Sequence, residues 1–106
     1  MRDAIRRVLQ ATGFAVTGFA SAEAALQDEA TREAHCLVLD IHLPGISGFE
    51  LYERLGELGS KPPVIFITAR DDVRNQERAV QLGALDYLLK PFSGRVLAAI
   101  VARASP

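Results

Sequence analysis

The sequence predicts an α/β fold in which helices cover both faces of a doubly wound parallel sheet. Cys36–Leu39 and Val64–Ile67 are uninterrupted apolar runs, which are typical of strands buried on both faces. Segments with a helical spacing of apolar residues alternate with these runs along the chain. The chain has 106 residues, 49% of them hydrophobic, so we expect one domain that spans residues 1–106.

Two helices and two strands are expected in the first part of the chain. Apolar side chains share one face of a helix over Arg2–Ala11, and Gly13 ends this helix. A short strand over Phe14–Phe19 follows. Ser21 can cap an alanine-rich helix over Ala22–Ala30, and the first of the two apolar runs is the next strand.

Three helices and two strands are expected in the rest of the chain. A turn rich in proline and glycine precedes a helix over Phe49–Leu58, and a second such break precedes the second apolar run. A more polar helix over Asp72–Leu82 leads to a short strand over Leu85–Leu89. The last helix begins at Ser93 or Gly94. The whole chain is therefore predicted to hold four strands and five helices.

Charge and composition exclude several kinds of protein. Twelve basic and 13 acidic side chains give a net charge of −1, which leaves no basic excess for binding nucleic acid directly. Cys36 is the single cysteine, so neither an internal disulfide nor a zinc site built on cysteines is possible. No apolar stretch approaches the ~18 residues of a membrane span. We expect a cytoplasmic protein without a membrane partner.

Polar side chains lie where the predicted parallel strands end. Asp40 and Thr68 end the two apolar runs, Lys90 follows the last strand, and Tyr87 lies within it. Ligands bind outside the carboxyl ends of the strands in such sheets. A carboxylate can attack phosphorus, and an ammonium and a hydroxyl can stabilise the charge on the transferred oxygens. The pattern therefore indicates phosphoryl chemistry at this edge of the sheet.

Three blocks of sequence resemble the receiver domains of two-component response regulators. They are Leu37–Leu51, Pro63–Arg70 and Gly83–Phe92, and each contains the end of a predicted strand. Phe19–Leu26 is similar to the second strand-to-helix passage of the NarL/FixJ-type branch. The resemblance covers essentially the whole chain and implies a flavodoxin-like fold.

The resemblance implies roles for the polar residues. Asp40 is similar to the aspartate that accepts a phosphoryl group from a histidine kinase. Thr68 and Lys90 resemble the switch hydroxyl and the lysine that contact the phosphoryl group. Tyr87 resembles an aromatic switch residue, and Pro91 resembles a proline that follows a cis peptide bond. The resemblance also implies an output domain or protein partner that contacts the face formed by residues 72–104.

The resemblance further implies a Mg²⁺ ion held by Asp40, by the backbone carbonyl of His42 and by an acidic pair that follows a first strand. The chain begins where the first helix of the family begins, so we expect that strand and its acids to be missing. Since Mg²⁺ is usually held by one or two carboxylates and phosphate oxygens, we expect weak or absent binding and impaired phosphorylation.

The missing strand leaves the run Cys36–Leu39 without a neighbour on one side. Either Phe14–Phe19 shifts inward to pair beside it, or strand exchange with a second copy covers the gap. We expect the second outcome, a strand-exchanged homo-oligomer.

Two other functions are also compatible with these residues. A degenerate pseudo-receiver would act as a protein-interaction module that takes no phosphate. Haloacid-dehalogenase-type phosphatases also use a strand-end aspartate, a Thr or Ser and a Lys, but they need a second aspartate where this chain has His42. We therefore expect a phosphoacceptor with, at most, self-catalysed transfer, and not an enzyme.

Overall fold

The computed structural model describes residues 2–19, 21–42, 45–59, 61–70 and 72–104. These residues form six helices and three strands. In chain order they are α1 (Arg2–Ala11), α2 (Ala22–Gln27), α3 (Glu29–Arg32), β1 (Leu37–Asp40), α4 (Gly48–Glu57), β2 (Val64–Thr68), α5 (Val73–Gln81), β3 (Asp86–Leu89) and α6 (Gly94–Ala104).

The described strands form one parallel sheet in the order β1-β2-β3. Leu37 lies opposite Val64 in the first pair of strands, and Thr68 lies opposite Leu89 in the second. Every residue of β2 is buried, as expected for a central strand with covered faces. The predicted α/β fold with a parallel sheet is confirmed.

The core consists of two clusters, one on each face of the sheet. Neighbouring residues of β2 point to opposite faces, so Val64 and Phe66 join one cluster and Ile65 and Ile67 join the other. On the first face the cluster includes residues of β1 and α4: Leu37, Leu39, Phe49, Leu51, Tyr52 and Leu55. On the second face it includes residues of α1 and α6: Leu9, Leu97, Ile100 and Val101. None of the described helices is long and apolar enough to cross a membrane.

The predicted strand over Phe14–Phe19 is wrong. These residues form no strand, and β1 pairs with β2 alone in the described part of the chain, so the inward shift is wrong as well. The backbone N–H of Phe14 donates instead to the carbonyl of Leu9 at 3.0 Å, which holds the segment against α1. Phe14 and Val16 pack on the second core cluster without sheet hydrogen bonds, because no described strand lies beside them.

The predicted helix over Ala22–Ala30 is two helices, which is why six described helices correspond to the five expected. Ser21 caps α2 as predicted, since its hydroxyl accepts from the N–H of Ala24 at 3.2 Å. Asp28 then leaves the helical conformation at φ −98° and ψ 124°. Aspartate is a weak helix former in the interior of a helix, which explains a break at this residue. The remaining boundaries differ from prediction by at most one residue.

Candidate functional site

The carboxyl ends of the parallel strands bring three of the sequence-predicted residues together. Asp40 ends β1, Thr68 ends β2, and Lys90 follows β3. The backbone N–H of Lys90 donates to the Thr68 carbonyl at 2.7 Å, and that of Ile41 donates to the Ile67 carbonyl at 2.9 Å. The chain thus stays in register just beyond the strands, and the three side chains lie on one edge of the sheet.

An ion pair joins Asp40 and Lys90. The Lys90 ammonium lies 2.5 Å from Oδ2 of Asp40, and the two side chains are 21% and 26% exposed, respectively. Oδ1 of Asp40 accepts from the backbone N–H of His42 at 2.9 Å. Each carboxylate oxygen therefore has a donor within the chain. Partial shielding from solvent makes this contact stronger than a fully exposed ion pair.

Thr68 and Tyr87 are linked through the backbone of Arg70. The fully buried Thr68 hydroxyl accepts from the Arg70 N–H at 3.2 Å. The Tyr87 hydroxyl donates to the Arg70 carbonyl, also at 3.2 Å. Sequence reasoning missed Arg70, because its contribution comes from backbone atoms that no side-chain pattern reveals. Both side chains therefore contact the same loop between β2 and α5.

The other two predicted site residues, His42 and Pro91, lie next to Asp40 and Lys90 along the chain. His42 is exposed, and its described contact is the N–H donated to Asp40, while the carbonyl expected to bind a metal has no described partner. The peptide bond between Lys90 and Pro91 is cis.

The start of α4 packs directly against the backbone of Asp40. A Cβ atom on Gly48 would lie 2.4 Å from the Asp40 carbonyl oxygen, so only glycine fits there. The Gly48 N–H donates to the Ile41 carbonyl at 3.0 Å, and the Ser47 hydroxyl caps α4 by accepting from the Glu50 N–H. The sequence indicated a turn at Gly48 but not this contact with Asp40.

The described residues do not fit a Mg²⁺ site. They contain no group of three or more His, Cys, Asp or Glu side chains that could hold a metal ion. Mg²⁺ requires near-octahedral oxygen ligands, and Asp40, whose two oxygens each accept from one nitrogen donor, would offer it a single carboxylate. The charged group in contact with Asp40 is the Lys90 ammonium, which would repel a metal cation.

One further titratable group lies immediately before β1. Burial raises the pKa of the Cys36 thiol to about 11, because the thiolate is poorly solvated there. The thiol therefore stays protonated at neutral pH and is a poor nucleophile. We assign it no part in the chemistry of the site.

Comparison with known proteins indicates the family of this chain. The family model described as the response regulator receiver domain matches residues 1–102. Nodulation protein W of Bradyrhizobium diazoefficiens is 39% identical over 103 residues, which are 96% of this chain and 45% of that protein. The transcriptional regulatory protein FixJ of Azorhizobium caulinodans is 39% identical over 101 residues, 95% of this chain and 48% of that protein. The chain thus spans about half the length of these curated relatives.

Solved structures of similar proteins have the same fold as this chain. The structure titled FixJ-N has a TM-score of 0.84 at 36% identity and covers 97% of this chain and 82% of that one. The BeF3-activated DrrB receiver domain has a TM-score of 0.83 at 35% identity and covers 97% of this chain and 86% of that one. With the family model matched over residues 1–102, these likenesses show that the chain belongs to the response regulator receiver domains.

Proposed function

We propose that Asp40 accepts a phosphoryl group from a phosphohistidine of a histidine kinase, and that the chain is a phosphoacceptor and not an enzyme. The ion pair between Asp40 and Lys90, next to the buried Thr68, carries this proposal. An Asp40 oxygen attacks phosphorus, so that an O–P bond forms while the P–N bond breaks and the leaving imidazole takes a proton. Lys90 offsets the negative charge that approaches Asp40.

We propose that transfer to this chain is slow and that Mg²⁺ binds weakly or not at all. The support is the donor set around Asp40, whose two oxygens are engaged by Lys90 and by the His42 N–H. A dianionic phosphoryl group that approaches a carboxylate needs positive charge, and Lys90 is the described cation in contact with it.

Replacing Asp40 with asparagine is expected to abolish phosphorylation. Incubation with a small phosphoramidate donor should add one phosphoryl mass to a minor fraction of the wild-type chain, as measured by intact mass spectrometry. Asp40→Asn should gain none, because the amide is a far weaker nucleophile than the carboxylate. The matched control Glu57→Gln, which removes an exposed carboxylate from α4, should be labelled like wild type. Equal labelling of wild type and Asp40→Asn would contradict the proposal.

A second candidate function is a pseudo-receiver that binds protein partners without accepting phosphate. The support for this candidate is that each Asp40 oxygen already accepts from one donor of the chain itself. It predicts no labelled fraction with any phosphoramidate donor, while partner binding persists.

The proposed partner surface is the face formed by residues 72–104, which would contact an output domain or another protein. Its support is a set of exposed large apolar side chains: Val73, Val80, Leu85, Leu89 and Val96.

We propose that phosphorylation moves Thr68 and Tyr87 together, since both contact the backbone of Arg70 just before α5. The test compares the Tyr87 rotamer with and without a phosphoryl mimic, in wild type and in Thr68→Ala. The same change of rotamer in both would contradict this coupling. The proposed setting is the cytoplasm, without direct contact to nucleic acid or membrane.

A second copy of the chain is a further proposed partner, through strand exchange. The support is that β1 pairs on one side only among the described residues, while the segment 14–19 pairs with no described strand. Unpaired N–H and C=O groups at a sheet edge favour pairing with another chain. Light scattering is expected to give twice the mass of one chain. A single-chain mass at every concentration measured would contradict the exchange.

A further inference from the structure

We infer that a cavity between α4 and α5 binds a small zwitterion, an amino acid with an apolar side chain, at the edge of the sheet opposite to Asp40. The cavity has a volume of about 370 Å³. It lies where α4 and α5 end, whereas Asp40 lies where α4 begins. The site is therefore separate from the proposed phosphoacceptor and does not depend on its function.

The cavity has an apolar inner wall. Tyr52 and Gly56 lie one turn apart on α4, and Leu82 lies at the end of α5. Because Gly56 has no side chain, the Lys61 side chain can pass over it, with Cε 3.1 Å from the position that a Cβ atom would take. Tyr52 is buried and Leu82 is half-buried. An apolar ligand side chain would therefore contact a ring and a leucine side chain.

Two polar side chains beside this wall are already satisfied within the chain. The Tyr52 hydroxyl donates to the Pro62 carbonyl at 2.7 Å. Burial raises the pKa of the Tyr52 phenol, so the phenol stays neutral. Glu53, which lines the cavity, forms an ion pair with Arg78 of α5. Neither side chain therefore offers an uncompensated charge to a ligand.

Two opposite charges remain at the mouth of the cavity. Glu57 and Lys61 are exposed and form no ion pair or hydrogen bond with another described residue. An ion of either sign would pair with one of them and meet the like charge of the other, whereas a zwitterion can pair with both. The Gln81 carboxamide, which can donate and accept, completes this rim. The volume lies near the lower end of the range for ligand pockets, about 300–1,000 Å³, and suits a molecule the size of an amino acid.

Titration of the ¹⁵N-labelled chain with three related compounds tests the site. L-leucine carries both charges, N-acetyl-leucine lacks the ammonium, and leucinamide lacks the carboxylate. We expect saturable shifts of the Gly56, Lys61 and Leu82 amide signals with L-leucine. Each of the other two compounds should bind more weakly by roughly 2- to 5-fold, as for the loss of a charge pair that is open to solvent.

Each of the two charges has a variant that isolates it. Glu57→Gln should bind L-leucine and N-acetyl-leucine about equally, because the partner of the ligand ammonium is gone. Lys61→Gln should bind L-leucine and leucinamide about equally, for the corresponding reason. The matched control Glu77→Gln, which removes an exposed carboxylate of α5 outside the cavity, should keep the preferences of wild type.

Three results would overturn the inference. The first is the absence of a saturable shift with L-leucine, and the second is equal binding of the three compounds by wild type. The third is a preference for L-leucine that Glu57→Gln and Lys61→Gln both retain in full, which would mean adventitious binding only. None of these results bears on Asp40, whose phosphorylation is measured separately by mass.

Discussion

Replacing Phe66 with alanine is expected to lower the free energy of unfolding by about 3–5 kcal/mol. Phe66 lies in the central strand and is 0% exposed. Its ring packs edge-to-face against Phe49 and Tyr52, with centroids 4.7 Å and 6.1 Å away. Truncation removes these contacts and leaves a cavity that the rigid sheet cannot close. Because domains of this size are stable by only about 5–15 kcal/mol, a large part of the population should unfold.

Urea unfolding followed by circular dichroism measures this effect. The matched control is Val80→Ala, which truncates an apolar side chain that is 78% exposed on α5. The control should change the free energy of unfolding by no more than about 0.5 kcal/mol. Similar losses in the two variants would contradict the central position that we assign to Phe66.

Gly48→Ala is expected to cost about 1–3 kcal/mol, in the range found when a close-packed site is overfilled. The new Cβ atom would lie 2.4 Å from the carbonyl oxygen of Asp40, and backbone atoms cannot rotate away as a side chain can. Either α4 or the end of β1 must move. We therefore expect the amide signals of Asp40 and His42 to shift along with the loss of stability.

Gly56→Ala is the matched control in the same helix. Its Cβ atom would lie 3.1 Å from Cε of Lys61, which is the flexible end of a side chain and can move aside. Alanine is favoured over glycine inside a helix by about 1 kcal/mol, so this variant should be unchanged or more stable. A Gly48→Ala variant as stable as Gly56→Ala would show that α4 does not press on Asp40.

Hydrophobic patterning predicted two of the described strands. The runs at Cys36–Leu39 and Val64–Ile67 correspond to β1 and β2, because a strand without polar side chains is stable only where other residues cover it. β2 is buried throughout, whereas the residues of β1 alternate between buried and half-buried. The prediction of a strand over Phe14–Phe19 was wrong because a strand forms only beside another strand. The local sequence does not show whether such a neighbour is present. The break at Asp28 was not predicted either, because the helical spacing of apolar residues continues on both sides of it.

The grouping of three site residues was predictable, because the carboxyl ends of parallel strands lie on one edge of a sheet. This rule alone predicted that Asp40, Thr68 and Lys90 lie close together. The link through Arg70 and the packing of Gly48 on Asp40 were not predictable, because both depend on backbone atoms. Side-chain patterns carry no information on such contacts.

We propose Asp40 as the phosphoacceptor of this chain. Its most direct test is to treat the chain with a phosphoramidate donor, reduce any acyl phosphate with hydride, and map the modified residue by peptide mass spectrometry. We expect modification of Asp40 alone, in a minor fraction of chains. Modification of another carboxylate, phosphate retained on His35 or His42, or a complete absence of modification would contradict it.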